Sequence, residues 1–390
     1  MAKKQKVHSL TGRITSRLMH EAFKAVKRNR GAAGVDKVSI QMFEANLPEN
    51  LDALMRDLKK GDFQPKPLRR VNIPKGPGSN KLRPLGIPVV RDRVAQEVVR
   101  RLLAPIFEPM FHDASFGFIP GRNCHQAIER AIELHRQGLH VVLDADIQGF
   151  FDQIPHKVIM ASVAAEVADG NILRLVEKFL SAGVMENGVF KPTGIGTPQG
   201  GVVSPLLANI VLDHLDWQLH AAGYHFVRYA DDFVVLCRTH QQAQEALTLV
   251  QGILERDLGL TLSSEKTHIT TYGKGYTFLG FDLSARSCRM RTKSVEKFKA
   301  KVRELTVRKH NLDAKVIGKL NQVIRGTAGY FAADFSKCRS QFRNLDAWIR
   351  MRLRCMKKKR KSYRDNQRIT NRYFHNKLGL FRLEQFCLAM

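Results

Sequence analysis

The chain has no run of about eighteen apolar residues, so it offers no helix built to span a bilayer. Its start, MAKKQKVHSL, is basic but leads into no apolar block, which argues against a secretory leader. Cysteine is sparse: Cys124, Cys237, Cys288, Cys338, Cys355 and Cys387 lie far apart, and no two have zinc-ligand spacing. His112, His125 and His156 likewise show no ligand spacing. Scattered cysteines without a leader point to a reducing, cytosolic setting. Acid is in short supply too. Asp and Glu number 36 against 64 Lys and Arg, a formal charge of +28. Like charges repel within a compact chain, so such a surplus calls for a polyanionic partner. Nucleic acid, which releases counterions when its phosphates are neutralised, fits better than an anionic membrane.

The excess is concentrated. From Arg286 to Met390 there are 29 Lys and Arg against 7 Asp and Glu, leaving the preceding residues nearly neutral. With 390 residues and 44% hydrophobic content, the chain can build a large core in two to three domains. Apolar spacing predicts helices within 14–60, broken by a turn at Gly31–Asp36, then at 91–106, 157–182, 203–222 and 241–258. Helix is expected again from Ser294 to about Arg364. Strands are expected at 68–73, up to 88, at 141–146, on both sides of residues 229–232, and as a pair at 276–283. Residues 74–80 read as a Gly/Pro loop. Hairpins interleaved with helices suggest an α+β core followed by a basic helical domain.

The chemical signal is two acidic clusters, each closing an apolar strand. One is Leu143–Asp152, containing Asp144, Asp146 and Asp152; the other is Tyr229-Ala230-Asp231-Asp232. Carboxylates beside apolar strands are costly to desolvate and repel one another, and a divalent cation relieves both costs. Hard oxygen ligands suit magnesium, and a pair of such ions clamps both oxygens of an in-line phosphoryl transfer. Asp144 and Asp146 share a strand face, so spacing alone leaves both open as ligands.

These clusters sit in an ordered set of motifs: GAAGVD at 31–36, IPK at 73–75, LRPLGIP at 82–88, SFGFIPGR at 115–122 and DIQGFFD at 146–152. There follow GTPQGG at 196–201 running into Ser204-Pro205-Leu206, YADD at 229–232, LGL at 258–260, EKT at 265–267 and FLG at 278–280. NQVIRGTAGYF at 321–331 and LDAWIRMRLR at 345–354 close the series. The set resembles the group II intron-encoded reverse transcriptases over roughly residues 30–350.

The resemblance implies a right-hand polymerase: an N-terminal extension and fingers at 1–110, a palm with the remaining fingers and an antiparallel sheet at 111–285, and an all-α thumb and maturase domain at 286–390. It implies RNA-directed DNA polymerisation with two magnesium ions, manganese being a substitute, held by Asp146, Asp231, Asp232 and the carbonyl of Ile147. The family pattern puts the ligand directly before Ile-Gln-Gly-Phe-Phe, which selects Asp146 over Asp144. Lys75, Arg83, Phe151, Gln199, Gly200 and Lys266 would contact the incoming nucleotide, with Phe151 excluding a ribose 2′-hydroxyl and Lys266 a candidate proton donor to pyrophosphate. Phe278, Leu279 and Gly280 would grip the primer. Arg325, Arg350, Arg354, Lys357, Lys358, Lys359 and Arg360 would meet nucleic acid. Partners would be an RNA template, a DNA or RNA primer, deoxynucleoside triphosphates and a folded intron RNA; oligomeric state is not readable. A free-standing enzyme of antiviral defence, CRISPR or repair is the alternative, and a purely structural maturase a third reading. Two departures stand out: Gln148 replaces a common Lys, and Ile119 a common Arg. No endonuclease signature follows the maturase motifs, so second-strand nicking by the chain itself is not expected.

Overall fold

The computed structural model describes residues 6–74, 82–361 and 368–387. By contacts the chain divides into two compact units, the first ending at Ile269 and the second beginning at Thr270. Among the described residues no helix is long and apolar enough to cross a membrane.

The first unit opens with α1 (Ser16–Arg28), α2 (Ile40–Ala45) and α3 (Leu47–Lys60). The strands β1 (Leu68–Pro74) and β2 (Leu82–Ile87) form an antiparallel pair, with Ile73 opposite Arg83. Next come α4 (Val90–Phe107), α5 (Cys124–Arg136), β3 (Val141–Asp146) and the short α6 (Phe150–Gln153). The predicted helix over 157–182 is two helices, α7 (His156–Glu166) and α8 (Gly170–Leu180). Asp169 makes the break. Its carboxylate accepts from the backbone of Asn171 and Ile172 at 3.1 Å each, capping α8, and from Thr11 N at 2.7 Å. Two short strands, β4 (Val184–Glu186) and β5 (Val189–Lys191), extend the first sheet to the order β2-β1-β4-β5.

Then follow α9 (Ser204–Ala221), β6 (His225–Tyr229), β7 (Asp232–Cys237), α10 (His240–Gly252) with a π-helical turn Ile253–Leu258, and β8 (His268–Thr271). The second sheet runs β6-β7-β3-β8, with α5 against β6 and β7 and α10 against β3 and β7. Alternation is weak here because β3 and β7 are buried almost end to end; both read as continuous apolar runs closed by acids.

Helix α4 carries buried polar residues that act as ties rather than core filler. Arg93 donates through Nε to Pro88 O at 2.9 Å and through Nη2 to Ala32 O. Gln96 Oε1 accepts from Val202 N at 2.7 Å, and Glu97 takes Arg100 and Arg101. Asp92 accepts from Lys66 N at 2.7 Å through Oδ2, while its buried Oδ1 has no hydrogen-bond partner. Burial pushes Asp92 up to about 7. A folded value above the unfolded one of about 3.9 means that ionisation in the fold opposes stability. The associated stability is whole below pH 4 and is lost as pH rises through 7. Asp92→Asn keeps an acceptor for Lys66 N and removes the titration. It should therefore melt close to wild type at pH 4 and gain roughly 1–3 kcal/mol by pH 8, seen in paired thermal denaturations.

The second unit starts with a meander, β9 (Tyr276–Phe278), β10 (Phe281–Ser284) and β11 (Ser287–Met290), in the order β11-β10-β9. Three long helices follow, α11 (Thr292–Leu305), α12 (Ala314–Phe331) and α13 (Arg339–Lys358). The contact boundary falls ahead of the expected division at 285/286, because the meander packs with the helices after it. Phe281 meets Tyr330, Phe331 and Phe335, and Lys337 N donates to Cys288 O at 2.6 Å. Strand β11 thus lies inside the stretch expected to be all helix.

Candidate active site

Strand register builds the centre. In the antiparallel β3–β7 pair, Asp146 stands directly opposite Asp232, and Asp144 opposite Val234. Residues so opposed have Cβ atoms about 4.5–5.5 Å apart, close enough to share a small cation. Tyr229 pairs with Asp232 across the β6–β7 hairpin, leaving Ala230 and Asp231 as its two turn residues. Ala230 takes the left-handed conformation, φ +59°, which disfavours any residue with a Cβ. Strain of this kind collects at functional turns. Asp231 is pushed above its ordinary value by burial, then by facing Asp146, against the opposing pull of Arg83 and Lys266. One carboxylate, two cations and a second carboxylate are therefore within electrostatic reach of one another.

Lys266 Nζ donates to Asp146 Oδ2 at 2.8 Å. A turn delivers it: Lys266 N and Thr267 N both donate to Ser263 O, Ser263 N donates to Asp146 O at 2.8 Å, and Asp146 N reaches Thr267 Oγ1. Ile147 is buried and bridges to Leu262, and Gln148 N donates to Thr261 O, which fixes the chain just past Asp146.

The GTPQGG loop joins this centre to β2. Arg83 Nε donates to Gln199 Oε1 at 2.7 Å, and Gln199 Nε2 to Asp152 Oδ2 at 3.0 Å. Gly86 N donates to Gln199 O at 2.8 Å. At Gly200, φ is +111° and a Cβ would lie 2.3 Å from Gly86 O, so only glycine lets the loop lie this close. Thr197 N donates to Phe151 O at 2.7 Å. Phe150 is the buried ring of α6; Phe151 is half-buried, its centroid 5.3 Å from Phe150. Arg83, Phe151, Gln199, Gly200, Lys266 and the three aspartates thus belong to one connected set. Lys75 lies outside the described residues. Of the two departures, Ile119 is buried in the core and Gln148 is exposed.

A buried network that the motifs do not announce holds the β6–β7 hairpin. Arg228, fully buried, donates to Asp216 through Nε at 2.7 Å and Nη2 at 2.5 Å. Its Nη1 donates to Asn209 Oδ1 at 3.0 Å and to Ala230 O at 2.9 Å. Asn209 Nδ2 in turn donates to Gly117 O at 2.7 Å. A Cβ on Gly117 would sit 2.3 Å from Ala230 N, so the second glycine required by close approach seats SFGFIPGR against the turn. The signal was available: Asn209 and Asp216 are seven residues apart, on one face of an apolar helix, and Arg228 interrupts an apolar strand.

In the second unit, Leu279 and Gly280 are both left-handed and form the tight turn between β9 and β10. Phe278 is fully buried, and Leu279 O accepts from Tyr330 Oη at 2.8 Å. Among the basic residues, Arg354 is only 8% exposed and is committed to Ile369 O and Asn371 Oδ1, both at 2.9 Å. Arg350 is half-buried beside His375, and Arg325 is exposed with its guanidinium 5.2 Å from the Phe381 ring centre. Lys357 lies over the Tyr373 ring, Lys359 Nζ donates to His310 O, and Lys358 and Arg360 are exposed.

Comparison with known proteins gives the family. Residues 73–283 match the model of reverse transcriptase (RNA-dependent DNA polymerase), and 295–374 that of the group II intron, maturase-specific domain. Protein YkfC of Escherichia coli is 34% identical over 310 residues, 69% of this chain and 81% of YkfC. Group II intron-encoded protein LtrA of Lactococcus lactis is 32% identical over 302 residues, 61% of this chain and 50% of LtrA. Among solved structures, telomerase from Candida albicans aligns over 82% of this chain and 64% of its own, with a TM-score of 0.46 and 13% identity. The chain belongs to the reverse transcriptase (RNA-dependent DNA polymerase) family, in its group II intron-encoded branch with a maturase-specific domain.

Proposed function

We propose that the chain extends a DNA or RNA primer on an RNA template from deoxynucleoside triphosphates, with Asp146, Asp231 and Asp232 as the ligands of two magnesium ions. The observation that carries this reading is the register that sets Asp146 against Asp232 beside the Ala230–Asp231 turn. The donor set suits the ion. All the side-chain donors are carboxylate oxygens, and the half-buried, mutually repelling Asp146 and Asp231 gain from a cation. Among the described residues no group of three or more His, Cys, Asp and Glu forms a ready-made cage. Magnesium commonly takes one or two carboxylates and fills its shell with substrate phosphates and water, so a site completed by the triphosphate is the expected form. Bound there, with manganese as a substitute, the ions would neutralise charge on the transferring phosphoryl group. Ile147 would add its carbonyl.

Arg83 and Lys266 present fixed positive charge to the triphosphate, and Lys75, eight residues before Arg83 in the chain, is a further candidate. Gln199 is oriented by Arg83 and Asp152, and Gly200 lets the nucleotide pass close to backbone. Lys266 is a candidate donor of the proton that leaves with pyrophosphate. The Leu279–Gly280 turn would hold the primer end. The fingers, palm and thumb-maturase division at 1–110, 111–285 and 286–390 is retained as a functional one. Arg325, Lys358 and Arg360 are the outward-facing candidates for phosphate contact, and a folded group II intron RNA is the natural ligand of the maturase segment. A bacterial cytoplasm is the corresponding setting.

The test is extension of a DNA primer on an RNA template with magnesium. Copying of the template sequence supports the reading; failure under both magnesium and manganese would end it. Phe151→Ala is expected to admit ribonucleotides, because its half-buried ring no longer meets a 2′-hydroxyl. Discrimination measured as the ratio of kcat/KM for dNTP and rNTP should fall by roughly 10²-fold, about 2.7 kcal/mol of differential binding. Unchanged discrimination would leave Phe151 as packing for Phe150.

A further inference from the structure

Phe118 carries two penalties at once. Its backbone is left-handed, φ +58°, and the residue is 57% exposed. A glycine or asparagine would fit that backbone with less strain, and an exposed phenyl ring forfeits the benefit of burial. The segment that holds it is nonetheless tightly built. Phe116 N donates to Arg228 O at 2.8 Å, and Arg228 N to Ala114 O at 2.9 Å. Arg122 Nη1 donates to Ser115 O at 2.7 Å and to His112 O at 2.6 Å. With Gly117 seated on Ala230, these bonds fix Phe118 relative to the catalytic hairpin. Its ring centre lies 6.5 Å from that of Tyr229, the planes 43° apart, and Tyr229 is half-buried. Two neighbouring rings therefore flank the turn that bears Asp231 and Asp232. Strain retained where packing gains nothing points to function.

We propose that Phe118 is a primer-strand contact: with Tyr229 it forms an aromatic ledge against the sugars and base edges of the last primer nucleotides. This rests on the polymerase reading, under which the 3′-hydroxyl must reach Asp231 and Asp232. Tyr229 is two residues from Asp231, so a strand that ends at the turn would lie beside this ring pair, and rings accept any sequence because they read faces and sugars rather than hydrogen-bonding patterns. The ledge positions the strand and takes no part in bond making.

The decisive variant is Phe118→Gly in the full chain, which removes the ring and relieves the left-handed backbone together. Its melting temperature should equal or exceed that of wild type. Dissociation of a primer–template chased with heparin should quicken about 10-fold, and products per binding event should shorten. Phe118→Tyr should restore both. With 2-aminopurine as the penultimate primer base, the fluorescence change on binding should be lost in Phe118→Gly; the same probe in the template strand should respond as in wild type. Wild-type dissociation by Phe118→Gly, or a loss confined to the template probe, overturns the ledge. Wild-type extension and a blank Asp231→Asn in the same assay keep that outcome distinct from failure of the polymerase reading.

Discussion

Asp231→Asn or Asp232→Asn is expected to reduce primer extension at least about 10³-fold, a loss of about 4 kcal/mol of transition-state stabilisation. Each substitution keeps the shape and removes the charge. Asp232 faces Asp146 in register, and Asp231 is held above its ordinary value by burial and by Asp146, so both sit where a cation is worth most. Binding of a primer–template in a retention assay should stay within about twofold, since the charge removed is negative. Asp144→Asn is the control. Asp144 shares the strand face with Asp146, but it lies opposite Val234, and burial pushes it up to about 6. Its replacement should cost only a few-fold in rate. Equal loss from Asp144→Asn and Asp146→Asn would shift the ligand assignment along the strand.

Much of this centre could be read from the chain because strand chemistry is local. Asp146 and Asp232 each end an apolar run, and a hairpin with two residues between its strands follows from Tyr229 to Asp232. The GTPQGG loop was readable as a close approach, since glycine has few other reasons to be doubled there. Spacing alone left Asp144 and Asp146 in competition; the family pattern favoured Asp146, and the register sets that residue, not Asp144, opposite Asp232. What stayed hidden is long-range. Asp169 breaks α7 from α8 by capping locally while accepting from Thr11, and no periodicity announces a partner 158 residues away. The pairing of β1 with β4 is parallel and joins Leu68 to Val184; β1 was legible as a strand from its own alternation, but the three-residue β4 that pairs with it was not. Likewise Arg354 looked like one more cation on a basic helix, whereas the fold turns it inward to Ile369 and Asn371. Sequence gives charge but not the side on which a segment returns.

The buried Arg228–Asp216 pair allows stability and catalysis to be separated. Both side chains are almost wholly excluded from water, 1% and 0% exposed. Burying two charges is costly, and removing one partner leaves the other uncompensated, so Arg228→Met alone should destabilise by about 3–5 kcal/mol in urea denaturation. Asp216→Leu alone should fall in the same range. The double variant, Arg228→Met with Asp216→Leu, removes both charges and should regain a large part of that loss. Activity should not return with it. Arg228 Nη1 also donates to Ala230 O and Asn209 Oδ1, and methionine offers neither bond. With Ala230 left-handed and its carbonyl unheld, the turn loses the tie that keeps Asp231 facing Asp146. Extension by the double variant is expected to stay roughly 10²-fold down, about 2.7 kcal/mol. A refolded double variant with full activity would show that the hairpin keeps its geometry through strand pairing alone, and that the guanidinium serves only the core.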